Sequence, residues 1–270
     1  MRPIHFISGL PRSGSTLLSA ILRQNPRFHA AMSGPLAGIF NALLGEMSGK
    51  NEFSVFISDE QRRDVVLGLV ESFYRSVSNA EVTFDSHRLW CTRLQAINEL
   101  FPNARIIACV RHIPWVLDSI ERLIRNNWLQ PSSIFNYQPG GTVFSRAESL
   151  AAQDGLIGFA YRALKEAFFG DCTKNLMLLQ YETLVNDPGL AISAVYDFLQ
   201  EPRFSHDFEH VEYSAEDFDT RAGTPGLHRV RRVVGYQERM TILPPDLFKR
   251  YENESFWQKS ALNLRGVRIV

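Results

Sequence analysis

Short, mostly apolar runs fall at residues 3–8, 81–85, 105–110 and 175–180. Their length, and the near absence of polar alternation, predict strands buried on both faces. Between them the apolar positions change rhythm. Val65, Val66, Leu69, Val70, Phe73 and Val77 recur at helical spacing through residues 61–78. Residues 88–100, 113–125, 145–169 and 188–199 also read as helices. Strands alternating with helices predict an α/β fold: three layers, a central parallel sheet flanked by helices. Asn25-Pro26 closes the first helical pattern, and Asp187-Pro188 supplies a cap and a first-turn proline for the last. Two stretches lack either rhythm. Residues 126–144 predict a loop or lid, with Trp128, Phe135, Tyr137 and Phe144 as aromatic anchors. Residues 214–232 predict a second loop that ends basic, in Gly226-Leu227-His228-Arg229-Val230-Arg231-Arg232.

Composition narrows the class. A chain of 270 residues, 45% hydrophobic and 21% charged, is long enough for one large folded domain, expected to span 1–270. Lys+Arg and Asp+Glu number 29 each, so the net charge is zero and no whole-chain basic footprint for nucleic acid exists. The longest apolar stretches, such as residues 34–44, are too short to span a membrane. Arg2 is followed by no apolar core of a signal peptide. Cys91, Cys109 and Cys172 form neither a disulfide framework nor a metal-ligand spacing and read as reduced thiols. No membrane or nucleic-acid partner and no metal is expected, the expected location is cytoplasmic, and oligomeric state has no signal.

The chemistry begins directly after the first strand. Gly9-Leu10-Pro11-Arg12-Ser13-Gly14-Ser15-Thr16-Leu17-Leu18 is a Gly-bounded loop that runs into an apolar helix. Gly9, Gly14 and Thr16 sit at the spacing of a P-loop, G-x-x-x-x-G-K-[ST], but Ser15 stands where the lysine belongs. Consecutive amides and a helix N-terminus still favour an anion. The lysine that bridges β- and γ-phosphates is missing, and Arg12 brings a cation elsewhere in the loop. This pattern predicts a P-loop-type fold that binds an anion without ordinary triphosphate hydrolysis.

Gly9 to Leu18 resembles the 5′-phosphosulfate loop of the sulfotransferase family, whose members use 3′-phosphoadenosine 5′-phosphosulfate (PAPS). The arginine form is closer to tyrosylprotein sulfotransferases and bacterial relatives than to the cytosolic enzymes. Two further segments agree. Residues 104–111 form an apolar strand ending in Arg111, and Ser119 follows eight residues later. In the family this Arg-x7-Ser pair grips the 3′-phosphate. Tyr181-Glu182-Thr183-Leu184 before Pro188 is similar to the family's Tyr-Glu segment, which implies Tyr181 near the adenine or bridging phosphate. The likeness covers residues 3–26, 82–125 and 175–200.

The resemblance implies sulfuryl transfer from PAPS to a hydroxyl or amine of a small-molecule acceptor, with release of 3′-phosphoadenosine 5′-phosphate (PAP). Pro11, Arg12, Ser13, Gly14, Ser15, Thr16 and Leu17 are expected around the 5′-phosphate, with Arg12 also stabilising the transferred group. Arg111, Ser119 and Tyr181 are expected around the rest of the nucleotide. A late basic loop contacts the 3′-phosphate in relatives, which makes His228, Arg229 and Arg231 candidates. The acceptor needs a base. His87 occupies roughly the position of the cytosolic enzymes' histidine; Asp85 is its rival, as base or as partner of His87, and His29 is a further possibility. Residues 28–35 lack the glutamate of tyrosylprotein sulfotransferases, which disfavours protein tyrosine as acceptor. Two alternatives stay open: a P-loop small-metabolite kinase, and a nucleotide-binding protein without catalysis.

Overall fold

The structure is a computed structural model that describes residues 2–77, 79–129, 132 and 141–270. Its strands are β1 (Ile4–Gly9), β2 (Phe28–Ala30), β3 (Val82–Ser86), β4 (Ile106–Val110), β5 (Leu176–Gln180) and β6 (Arg268–Ile269). They form one sheet in the order β2-β3-β1-β4-β5-β6, and every pair is parallel. The four predicted strands are present. β2 and β6 are too short to leave a periodic signal.

The helices are α1 (Ser15–Leu22), α2 (Leu36–Glu46), α3 (Asp59–Arg75), α4 (Leu94–Leu100), α5 (Ile113–Asn126) and α6 (Val143–Ala151). They continue with α7 (Leu156–Phe169), α8 (Tyr181–Asn186), α9 (Pro188–Leu199), α10 (Glu216–Arg221) and α11 (Pro245–Arg250). They cover both faces of the sheet. Ile106, Ala108 and Val110 point into a core shared with α2, α3, α5, α6 and α7. Ile107 and Cys109 point into a second core with α1, α8 and α9. Burial on both sides explains why β4 reads as a continuous apolar run rather than an alternation.

Local sequence sets several boundaries. Ser58 caps α3 through a reciprocal box: its hydroxyl accepts from Gln61 N at 3.1 Å, and Gln61 Oε1 accepts from Ser58 N at 2.9 Å. Asp187 caps α9 at Leu190 N, 2.9 Å away, with Pro188 in the first turn. The helix expected over 145–169 is two helices, α6 and α7, broken at the Asp154-Gly155 turn signal. The one expected over 88–100 opens as a 3-10 turn, Arg88–Arg93, before α4. Most of the loop predicted at 126–144, with its anchors Phe135 and Tyr137, lies outside the described residues.

The chain first adds strands on one side of β1, then crosses to add β4, β5 and β6 on the other. Where the order reverses, at the carboxyl ends of β1 and β4, an open parallel sheet leaves a crevice for ligands.

Candidate functional site

The crevice is a cavity of about 780 Å³. One side is the loop after β1. Gly9 sits at φ +102°, and a Cβ there would lie 2.1 Å from the carbonyl oxygen of Cys109. Only glycine lets the two strand ends approach so closely. Leu10 N then donates to Cys109 O at 2.9 Å, and Ser13 Oγ donates to the same oxygen at 2.9 Å. Arg12 adopts φ 58°, a left-handed conformation that a non-glycine side chain takes at a cost of about 1 kcal/mol. Gly14 precedes α1, whose N-terminus has no side-chain cap. The hydrogen-bond ladder of the helix opens with Leu18 N donating to Gly14 O at 2.8 Å. The amides before it, with the positive end of the helix, border the cavity.

Arg111 leaves the end of β4, Ser119 stands two turns into α5, and Tyr181 follows β5 directly. The structure brings all three to the loop. Ser119 Oγ accepts from Arg12 Nε at 3.1 Å. The Arg111 guanidinium carbon lies 4.1 Å from the Tyr181 ring centroid, and its Nη1 reaches Arg12 O at 3.4 Å. Arg111 Nε is buried and has no hydrogen-bond partner among the described residues. A buried, unpaired guanidinium N–H beside uncapped helix amides suits a polyanion.

Six arginines line the cavity: Arg12, Arg88, Arg111, Arg229, Arg231 and Arg239. His87 and His228 join them, and no lysine or carboxylate lines it among the described residues. A chain of zero net charge thus concentrates cation at one place. Burial, with repulsion from Arg111, lowers the Arg12 pKa to about 10, so it stays cationic at neutral pH. Burial pushes Arg88 and Arg111 down as well.

The expected base residues separate. His87 lines the cavity, but its Nδ1 accepts a hydrogen bond from Leu89 N at 3.1 Å. A backbone N–H is only a donor, so Nδ1 is unprotonated and the neutral ring carries its hydrogen on Nε2. That tautomer offers a donor, not a base. Burial and Arg88 lower its pKa to about 4. Asp85 is buried away from the cavity lining. Its oxygens accept from Tyr74 OH at 2.5 Å and Trp90 Nε1 at 2.6 Å. It therefore ties α3 to β3 and orients no part of His87. His29 packs edge-on against Tyr74, with ring centres 5.8 Å apart, and is absent from the lining.

The opposite wall is residues 214–239. Arg12 Nη1 donates to Leu227 O, stitching this wall to the loop. His228 lines the cavity between Leu227 and the exposed rim residues Arg229 and Arg231. Three residues here carry no mark in the sequence. Asp219, buried in α10, holds His228. Arg239 enters the cavity with its Nη2 2.6 Å from Asp118, and Asp118 also accepts from Ile242 N at 2.8 Å. Asp118 is wholly buried beside Ser119 and anchors the late segment to α5. None of the three stands at a spacing that periodicity can detect.

Among the described residues no group of three or more His, Cys, Asp or Glu is gathered as for a metal, and no helix is long and apolar enough to cross a membrane. The sulfotransferase family model matches residues 3–206. The fold is similar to that of the sulfotransferase domain from the curacin biosynthetic pathway, with a TM-score of 0.52 at 18% identity. That match covers 96% of this chain and 90% of that one. It is also similar to a sulfotransferase from Alicyclobacillus acidocaldarius, with a TM-score of 0.50 at 16% identity, covering 100% of this chain and 98% of that one. No curated protein matches the chain.

Proposed function

Because the chain belongs to the sulfotransferase family, we propose that it transfers a sulfuryl group from PAPS to a hydroxyl or amine of a small-molecule acceptor and releases PAP. The observation that carries this reading is the meeting of the Gly9–Leu17 loop (all but the buried Ser13), Arg111 with Ser119, and Tyr181 in one arginine-lined cavity. PAP and PAPS carry anionic charge at two separated positions of one nucleoside. Two cationic groups on separate strand ends suit that arrangement. The donor is made inside cells, so a cytoplasmic site of action goes with the reading.

The roles follow from chemistry. The amides of Gly14, Ser15, Thr16 and Leu17 hold the 5′-phosphate, with Pro11 shaping the turn before them and the buried Ser13 bracing it from behind through Cys109 O. Arg111 and Ser119 hold the 3′-phosphate, and Arg229 and Arg231 approach it from the rim. Tyr181 flanks the nucleotide and, through its ring, fixes the Arg111 guanidinium. Arg12 stabilises the charge that develops on the bridging and sulfuryl oxygens. His87, with its hydrogen on Nε2, donates to a sulfuryl or acceptor oxygen. Sulfuryl transfer is in-line displacement that needs positioning and charge stabilisation more than covalent help, by analogy with phosphoryl transfer. A magnesium-nucleotide kinase uses a loop lysine and a carboxylate near the phosphates, and neither lines this cavity among the described residues.

Arg12→Ala tests the assignment. Removing one such donor costs on the order of 3 kcal/mol in the barrier, so PAPS turnover to PAP should fall about 10²- to 10³-fold. The fold should persist, as judged by circular dichroism. Full turnover by this variant would remove Arg12 from the chemistry.

A further inference from the structure

We propose that His228, oriented by Asp219, is the general base that takes the acceptor's proton; the proposal rests on the sulfotransferase reading above. His228 Nδ1 lies 2.6 Å from Asp219 Oδ1, and Asp219 Oδ2 accepts from His228 N at 2.8 Å. Asp219 is 2% exposed, so water does not compete for its carboxylate. Both of its oxygens act as acceptors toward one residue. The ring must therefore place its hydrogen on Nδ1, which leaves the Nε2 lone pair free. This is the logic of a histidine held by a carboxylate in a nucleophile-activating pair.

The position is as specific as the tautomer. His228 lines the same cavity as Arg12, and Arg12 itself holds the carbonyl of the preceding residue, Leu227. His87, on the other side, has the opposite tautomer, because its Nδ1 accepts from Leu89 N. One histidine donates and the other accepts. A second His–Asp pair, His210 with Asp207 at 2.9 Å, is exposed and outside the lining, so it serves as an internal control. Among the described residues, the charged and titratable groups around the pair are Arg12 from the loop, Tyr213, and Arg229 and Arg231 on the same segment.

The step balances without a further reactant. The acceptor oxygen forms a bond to sulfur, and its proton moves to His228 Nε2. The bond between sulfur and the bridging oxygen breaks, and its electron pair leaves on the 5′-phosphate of PAP. The imidazolium, stabilised by Asp219, then releases its proton to solvent.

The test pairs His228→Asn with ring-nitrogen NMR. Asparagine keeps a donor toward Asp219 and removes Nε2. Turnover is followed as PAP release from PAPS, with water, simple alcohols and phenols as acceptors. The expected result is a kcat lowered about 10²- to 10⁴-fold, a PAP Kd within about twofold of wild type, and loss of the acidic limb of the kcat profile. His210→Asn should change none of these. At neutral pH the NMR spectrum should show His228 with its hydrogen on Nδ1, and Asp219→Asn should shift that ring toward the other tautomer. The assignment is overturned by unchanged kcat, by a PAP Kd that weakens in step with kcat, or by a hydrogen on Nε2. PAP binding with no turnover to any of these acceptors also overturns it and leaves the donor reading standing. No PAP binding by the wild type fails both.

Discussion

One wall of the cavity is made of strand ends and the first turns of helices; the opposite wall is residues 214–239, which carry a single short helix. The first wall is fixed at main-chain atoms of the strand ends. Leu10 N and Ser13 Oγ both bond Cys109 O, and Gly9 lets β1 and β4 come that close. The second wall has two main-chain ties, Val234 N to Phe208 O and Val211 N to Arg232 O, both 2.8 Å, and meets the cavity through side-chain pins: Asp219 on His228, Asp118 on Arg239 and Ile242, and Arg12 on Leu227. A wall held by backbone sterics fails as a unit when one atom is added. A wall held by pins tolerates backbone changes and responds to loss of a pin.

The largest expected effect is Gly9→Ala. A Cβ 2.1 Å from a backbone carbonyl, at a positive φ, leaves no side chain to yield. Destabilisation of about 4 kcal/mol or more is expected in chemical denaturation, or failure to accumulate folded protein. A loss under about 1 kcal/mol would show that the first wall adapts like the second.

Next in size is a pH effect at the far, amino-terminal end of the strands that carry the first wall. His5 on β1 is buried, its Nδ1 accepts from Arg105 N at 3.1 Å, and its pKa is lowered from 6.5 to about 4 by burial and by Arg105. The unfolded chain therefore binds a proton near pH 6.5 that the folded chain refuses until about pH 4. Stability is full above pH 6.5 and is lost as pH falls through that window, by about 2 kcal/mol at pH 5 from this group. His5→Asn should flatten that part of the profile, measured as denaturation midpoints from pH 7 to pH 5.

Gly226→Ala is the smallest effect and the counterpart of the first. Gly226 also has a positive φ, +85°, but nothing lies within 4 Å of a Cβ there. Only the backbone preference is lost, about 1 kcal/mol. A cost equal to that of Gly9→Ala would erase the distinction between the walls.

The same division explains what was legible in the sequence. The first wall is local: Gly9 to Leu17 is one continuous motif, and Arg111, Ser119 and Tyr181 follow strands that announce themselves as apolar runs. The alternating elements also carried the three-layer α/β fold with its parallel sheet. β2 and β6, three and two residues long, exist because neighbours pair with them, not because of their own pattern. The second wall depends on contacts between distant residues. Asp118 and Arg239 are far apart in the chain, and Asp118 sits among α5 residues as one more polar position. Asp219 lies in Asp217-Phe218-Asp219, where nothing marks which acid turns inward. Asp85 illustrates the converse. A carboxylate ending a strand near the motif has the sequence signature of a base, yet Tyr74 and Trp90 occupy both its oxygens. Hydrogen-bond partners of that kind are set by packing across elements and have no imprint in spacing.

On the proposed reading, this cavity binds a nucleotide with phosphates at both the 5′ and 3′ positions. Calorimetric titration with PAP, beside ADP and ATP and without magnesium, tests it most directly. PAP should bind more tightly than either. Arg111→Ala should weaken PAP about 10- to 100-fold, the loss of a hydrogen bond to a charged group or somewhat more. The same change should leave ADP, which lacks the 3′-phosphate, nearly unaffected. Preference for ATP, absence of nucleotide binding, or equal weakening of PAP and ADP by Arg111→Ala would contradict the account.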